Sequence, residues 1–340
     1  MAVNFGIVGY GTMGSNCHRG LIEKVPGARL LAVCDITSSR REAARADGAE
    51  RTYASLGAML KNDDVDVVVI CTPSHSHVDI GIKAARAGKH VITEKPAARS
   101  AAQLRKMITA ARRAGVIFTV FQNRRWDTDF QVARRIVRQK LVGDVLAIEA
   151  RWQLYGSTAG FGTKAFKPEW REMRRYGGGI LLDLGVHMLD QIHEMVPGKP
   201  KEVFATVRGG IWAKDCDDYA SGTVRFDDGT IAHVEASGLT KITLPRYRII
   251  GTRGMAVSNG RDKRFELYIG KADKPRRTIS FAAPNRWDAP YRALVAAVKD
   301  RRKKPAVDPE SVITTMQLID AYRESSRTGH SVTLRGPRVK

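Results

Sequence analysis

Residues 177–190 read GGGILLDLGVHMLD. On a helix, Asp183 and His187 lie four apart and share one face, with Asp190 three further on the same side. A carboxylate beside an imidazole can do acid–base work on a substrate hydroxyl. Glu94-Lys95-Pro96 supplies a second reactive group. An ammonium there can polarise a substrate oxygen and stabilise a developing alkoxide. A third cluster, GYGTMG at residues 9–14, has the spacing of a dinucleotide cradle. Gly9 permits a tight turn, Gly11 lets backbone amides approach a pyrophosphate, and Gly14 lets the next helix pack closely. Thr12 and Met13 open that helix, whose N-terminus favours phosphate.

Such a cradle needs an acid at the end of the second strand for the ribose hydroxyls. Asp35 ends RLLAVCD, 26 residues after Gly9, against a usual spacing of about 20. A carboxylate there repels a 2′-phosphate by about 4 kcal/mol at ~4 Å and an effective dielectric near 20. NAD is therefore expected, with NADP possible because Arg40 and Arg41 follow closely. The loop Thr72-Pro73-Ser74-His75-Ser76-His77 should reach the same rim. Thr72, Pro73, Ser74 and His77 are its candidate cofactor contacts, together with Glu94 and Lys95. Trp170-Arg171 could reach cofactor or substrate, and Arg125 could face a cleft. No metal site is expected, since His193 falls on a different helical face from His187.

These groups must be held by ordered elements. Strands are expected at Val3–Val8, Arg29–Asp35, Val65–Thr72, His90–Thr93 and Val116–Phe121. Helices should intervene at Met13–Glu23, Arg40–Asp47, Val78–Ala87 and Ser100–Ala114. Strict alternation predicts a doubly wound parallel sheet over residues 1–121. The pattern changes over 122–340. A helix at Phe130–Lys140 precedes strand-like runs at Val145–Gln153, Glu202–Trp212, Ala220–Phe226, Ile231–Ser237, Arg246–Ile250 and Phe265–Ile269. Asp227-Asp228-Gly229 is a hairpin signal, so this second, α+β domain should be largely antiparallel. Helices at Tyr291–Arg301 and Glu310–Ser326 close the chain, and the last could pack back on the first domain.

The 340 residues carry 57 Lys and Arg against 35 Asp and Glu, a net charge of +22. The basic residues are dispersed, which reads as surface charge before nucleic-acid binding. No apolar run approaches the roughly 18 residues of a membrane span. With no signal-like start and four scattered cysteines, a cytoplasmic protein is expected.

The combination resembles the glucose–fructose oxidoreductase and inositol dehydrogenase family, Gfo/Idh/MocA. The similar segments are GYGTMG, TPSHSHVDIGIKAARAGKHVITEKP at 72–96, QNRRWDTDF at 122–130, GGGILLDLGVHMLD, and SSRTGHSVTL at 325–334. Thr128 stands where that family often has proline, and Ser74 where it often has asparagine. The resemblance implies a Rossmann domain followed by an α/β domain whose open sheet packs against other subunits in dimers or tetramers. It implies hydride transfer between NAD(P) and a secondary alcohol of a sugar, cyclitol or polyol. Lys95, Asp183 and His187 match its catalytic trio, with base and acid assignable to His187 and Lys95 in either order. Arginines in 151–175 incline the substrate towards an anionic sugar. Two alternatives remain. One is NAD-assisted glycoside cleavage. The other is a non-catalytic cofactor-sensing or nucleic-acid-binding regulator, motivated by the charge.

Overall fold

The computed structural model describes residues 2–158, 168–271 and 273–334. The chain folds into two units. The first takes in 1–122, 158–178 and 287–313, and the second 123–157, 179–286 and 314–340.

The first unit begins with strand β1 (Val3–Val8), followed by a π-helical turn at Met13–His18 that runs into α1 (Arg19–Lys24). Then come β2 (Ala28–Cys34), α2 (Ser38–Ala46), β3 (Arg51–Tyr53), α3 (Leu56–Leu60) and β4 (Val67–Ile70). They are followed by α4 (His77–Arg86), β5 (His90–Thr93), α5 (Ala101–Arg113) and β6 (Phe118–Val120). The six strands form one parallel sheet in the order β3-β2-β1-β4-β5-β6. The central β4, VVVI, is wholly buried because helices cover both faces, which is why it is an unbroken apolar run. The positive φ values at Gly88 and Gly115 end α4 and α5 in the left-handed conformation.

The second unit opens with α6 (Thr128–Arg138) and β7 (Val145–Gln153). A π-helical turn at Leu181–Gly185 leads into α7 (Val186–Met195). Seven strands follow: β8 (Pro200–Gly209), β9 (Asp217–Phe226), β10 (Ile231–Ser237), β11 (Tyr247–Gly251), β12 (Gly254–Asn259), β13 (Arg264–Ile269) and β14 (Arg277–Ser280). Helix α8 (Ala289–Lys299) belongs to the first unit, while α9 (Pro309–Thr328) and β15 (Val332–Thr333) end the described chain. The nine strands run β14-β13-β12-β11-β7-β10-β9-β8-β15. All pairs are antiparallel except β7 with β10. Helices α6 and α7 pack on one face of this sheet, and Tyr322 of α9 donates its hydroxyl to the Val234 carbonyl at 3.3 Å. No described helix is long and apolar enough to cross a membrane.

The α/β then open-sheet α+β architecture is as the sequence predicts. Five short elements were not expected: β3, α3, β12, β14 and β15. The run GMAVSN of β12 hides its strand character behind Gly254, Ser258 and Asn259. Glycine is needed at 254 because a Cβ there would lie 2.0 Å from the Tyr268 carbonyl oxygen. The expected strand 202–212 stops at Gly209. Beyond it Asp218 accepts the backbone amides of Ile211, Trp212 and Ala213 at 2.9, 3.0 and 3.0 Å, folding those residues into a turn.

Candidate active site

In the first unit, the carboxyl ends of β1, β2 and β4 open on a cavity of about 560 Å³. The glycine-rich turn forms its floor through Gly9, Gly11, Thr12 and Met13. Gly9 has φ +90°, and a Cβ on it would lie 2.9 Å from the Cys71 carbonyl carbon. A Cβ on Gly14 would lie 2.3 Å from the Gly9 carbonyl oxygen, so only glycine lets the helix start this close to the strand. Asp35 lines the cavity, and its carboxylate accepts the amides of Tyr10 at 2.7 Å and Thr37 at 2.8 Å. Those bonds fix the carboxylate and leave further lone pairs for a diol. Arg41 donates to the Asp35 carbonyl at 2.8 Å, while Arg40 joins the cavity wall. Backbone amides at a helix start, a fixed carboxylate, and apolar walls from Ile36 and Leu56 together fit a dinucleotide.

Of the 72–77 loop, Thr72 and Pro73 line the cavity, as do His75 and Ser76. Ser74 is buried outside the lining, in place of the expected contact. His77 is likewise buried outside it. Its ring nitrogens lie 2.8 Å from the Pro96 carbonyl and 2.7 Å from the Thr72 carbonyl, tying two loops together. Burial pushes the His77 pKa down, although both carbonyls and Glu94 oppose that shift.

The far wall is built by residues 168–178, inserted between β7 and α7. Trp170, Arg171 and Tyr176 line the cavity, with the Arg171 guanidinium 4.5 Å from the Trp170 ring centroid. Tyr176 meets His75 edge-on at 5.0 Å. The first two glycines of the 177–179 run allow this seating. A Cβ on Gly177 would stand 3.0 Å from the Ser74 Cβ, and one on Gly178 would stand 2.2 Å from the Arg171 carbonyl oxygen. Ile36, Thr37, Ser76 and Tyr176 were not singled out from sequence. The residues directly after the strand-ending Asp35 were the available signal for the first two.

Glu94 and Lys95 lie outside that lining. Lys95 is partly exposed, and the Lys95–Pro96 peptide is cis. Glu94 is buried, and both its oxygens are engaged within the protein. Oε1 lies 2.8 Å from His18 Nε2, and Oε2 accepts the Lys95 amide at 2.9 Å. Burial alone would raise the Glu94 pKa, but the His18 bond and the Lys95 charge hold it below its ordinary value.

In the second unit, Asp183 lies within the π-helical turn and His187 one turn on, both buried. Such widened turns recur at functional sites. The helix is anchored by Asp217, whose Oδ2 accepts the Leu181 amide at 2.6 Å. Gly179, at φ +111°, leaves room for that carboxylate, since a Cβ there would lie 2.3 Å from Asp217 Oδ1. Burial raises the Asp217 pKa despite the amide bond. The His187 ring stacks on Trp152 at 5.7 Å, and Arg124 and Arg246 approach the same indole at 4.2 and 4.6 Å. Arg124 pairs with Asp127 at 3.0 Å, and Arg246 with Asp129 at 3.4 Å. The cationic groups around His187 are thus matched by carboxylates. Of the 151–175 arginines, Arg151 pairs with Glu149, and residues 159–167 lie outside the described chain.

Asp190 has a different part from the one its spacing suggests, and Arg125, which could have faced a cleft, is its partner. Arg125 is buried and donates to both Asp190 oxygens, at 2.8 and 2.7 Å, while Glu194 takes its third nitrogen at 2.9 Å. Thr315 adds a bond to Asp190 at 2.9 Å. This is a structural ion pair beneath the site helix, not a second acid beside His187.

Residues 3–122 match the oxidoreductase family with an NAD-binding Rossmann fold, and 130–257 match the GFO/IDH/MocA C-terminal domain. A crystal structure of an NAD-binding protein from Listeria innocua is similar at 31% identity and TM-score 0.86, covering 98% of this chain and 97% of that one. The chain belongs to the Gfo/Idh/MocA family. Two enzymes similar to this family member are each 26% identical. The scyllo-inositol 2-dehydrogenase (NADP(+)) of Bacillus subtilis matches over 98% of this chain and 96% of its own. The myo-inositol 2-dehydrogenase of Thermotoga maritima matches over 98% of both. As a Gfo/Idh/MocA protein, the chain is an NAD(P)-dependent dehydrogenase with an NAD-binding Rossmann domain.

Two outcomes test these placements. Gly14→Ala should weaken NADH binding at least about tenfold, or ~1.4 kcal/mol, read by fluorescence titration against the unaltered protein. Asp190→Asn should cost about 3 kcal/mol of stability in urea denaturation, because it removes one side of a buried pair.

Proposed function

We propose that the protein oxidises or reduces a secondary alcohol of a sugar, cyclitol or related polyol, with NAD preferred over NADP. The observation that carries the reading is the Asp35-rimmed cavity on the glycine-rich turn. The names of the inositol dehydrogenases support the substrate class. When bound, the nicotinamide cofactor supplies the hydride acceptor or donor.

The chain's own residues do the rest. Gly11, Thr12 and Met13 hold the pyrophosphate by backbone amides, and Asp35 holds the adenosine ribose diol. Trp170 and Arg171 close the cofactor's outer side. His187 accepts the hydroxyl proton of the alcohol, and Asp183 orients that hydroxyl. Lys95 donates a hydrogen bond to a substrate oxygen and stabilises its developing negative charge. Trp152 holds the imidazole plane by stacking. Because Asp127 and Asp129 offset Arg124 and Arg246, this cluster favours a neutral polyol. We also assign a homo-oligomer, formed on the sheet face opposite α6 and α7, where Phe204 is half exposed.

Lys95→Ala and His187→Ala should each lower kcat by roughly 10²–10⁴, measured at saturating NAD over a panel of inositols and aldoses. Unchanged turnover in both would contradict the assignment. Asp35→Ser should move the NADPH-to-NADH ratio of Kd values towards NADPH by at least about tenfold, or ~1.4 kcal/mol. An unmoved ratio would remove Asp35 from the ribose site.

A further inference from the structure

Behind Lys95, three polar side chains from distant parts of the first unit form one buried chain. Glu94 directly follows β5, His18 ends the π-helical turn before α1, and Tyr291 lies on α8. His18 and Tyr291 are each 0% exposed, and Glu94 is 5% exposed. His18 Nδ1 lies 2.5 Å from the Tyr291 hydroxyl, and Nε2 lies 2.8 Å from Glu94 Oε1. Glu94 Oε2 then accepts the Lys95 amide at 2.9 Å. Apolar rings encase the series. Phe121 lies 4.6 Å from His18 and 5.8 Å from Tyr291, and Phe5 lies 5.6 Å from Tyr291.

The direction of each bond follows from chemistry. The Glu94 carboxylate can only accept, so the neutral His18 ring donates from Nε2 and accepts the Tyr291 hydroxyl on Nδ1. The imidazole then carries its own proton on Nε2 and donates to Glu94. Glu94 remains a carboxylate and accepts from both sides. The chain ends in a tyrosine with no exposure to solvent, so it offers no route for protons to bulk water. Its effect is geometric. A buried glutamate has three side-chain torsions to fix, and two hydrogen bonds on separate oxygens select one rotamer.

We infer that His18 and Tyr291 are positioning residues for Lys95, acting through the Glu94 carboxylate that grips the Lys95 amide. This rests on the reading that Lys95 serves the reacting oxygen. A helix roughly two hundred residues later in the chain thereby sets the backbone from which the reactive lysine projects.

The test uses the full chain saturated with NADH. Hydrogen exchange at the Lys95 amide is followed by mass spectrometry with single-residue fragmentation. Tyr291→Phe, which removes one oxygen and keeps the ring, should speed that exchange by about two- to tenfold. His18→Leu should do the same or more. His18→Gln should restore near-original protection, because its amide can donate to Glu94 and accept from Tyr291. The amides of β4 serve as the reference and should stay unchanged. Original protection in both Tyr291→Phe and His18→Leu would overturn the inference. Equal acceleration through β4 would overturn it as well, since the chain would then only stabilise the fold. Turnover separates the two readings. Tyr291→Phe should lower kcat and leave the polyol KM unchanged. Full activity of Lys95→Ala would sink the proposed role of Lys95 and leave the exchange result standing.

Discussion

Between Gly14 and the carbonyl oxygen of Gly9 there is no room for a methyl group. The first unit is organised around that close approach. It lets the helix begin directly over the end of β1, with its amides facing a cavity rather than a side chain. The turn is then fixed from the other side by Asp35, which holds the Tyr10 amide at 2.7 Å. One carboxylate therefore shapes the glycine-rich turn and lines the cavity, where we propose that it accepts the ribose hydroxyls. The sheet order β3-β2-β1-β4-β5-β6 brings the 72–77 loop and the Glu94-Lys95 turn to the same carboxyl edge as the glycines.

The second unit meets a different constraint, that of placing polar groups inside a helix that is buried all round. Residues 181–192 are buried without exception, yet they include Asp183, His187, Asp190 and Gln191. Each described partner answers a specific cost of burial. Arg125 compensates Asp190, Tyr247 bonds Gln191 at 2.5 Å, and Trp152 covers the face of His187. Asp217 caps the first turn. Asp190 and Gln191, bonded to Arg125 and Tyr247, follow Asp183 and His187 along one helix and hold it in place.

Much of this was legible in sequence because it depends on local spacing. The alternation of strand and helix, the three glycines, the acid after RLLAVC and the apolar β4 each reflect a local rule. The remainder depends on partners far along the chain. Asp190 is indistinguishable from a second acid beside His187 until Arg125, 65 residues earlier, is seen to bind it. His77 lies in the loop expected to reach the cofactor rim, and only the fold reveals the Thr72 and Pro96 carbonyls on its two nitrogens. His18 and Tyr291 are 273 positions apart and carry no shared motif. The wall formed by Trp170 and Tyr176 was only partly readable, since it comes from a segment far outside the Rossmann alternation.

The central claim is that GYGTMG and Asp35 make a dinucleotide site that prefers NAD. Separate titrations with NADH and NADPH, at moderate salt and read by protein-fluorescence quenching, test it most directly. The account predicts saturable binding of both, with NADH at least about tenfold tighter. Binding of neither nucleotide would contradict it. A preference for NADPH would move ribose recognition from Asp35 to Arg40.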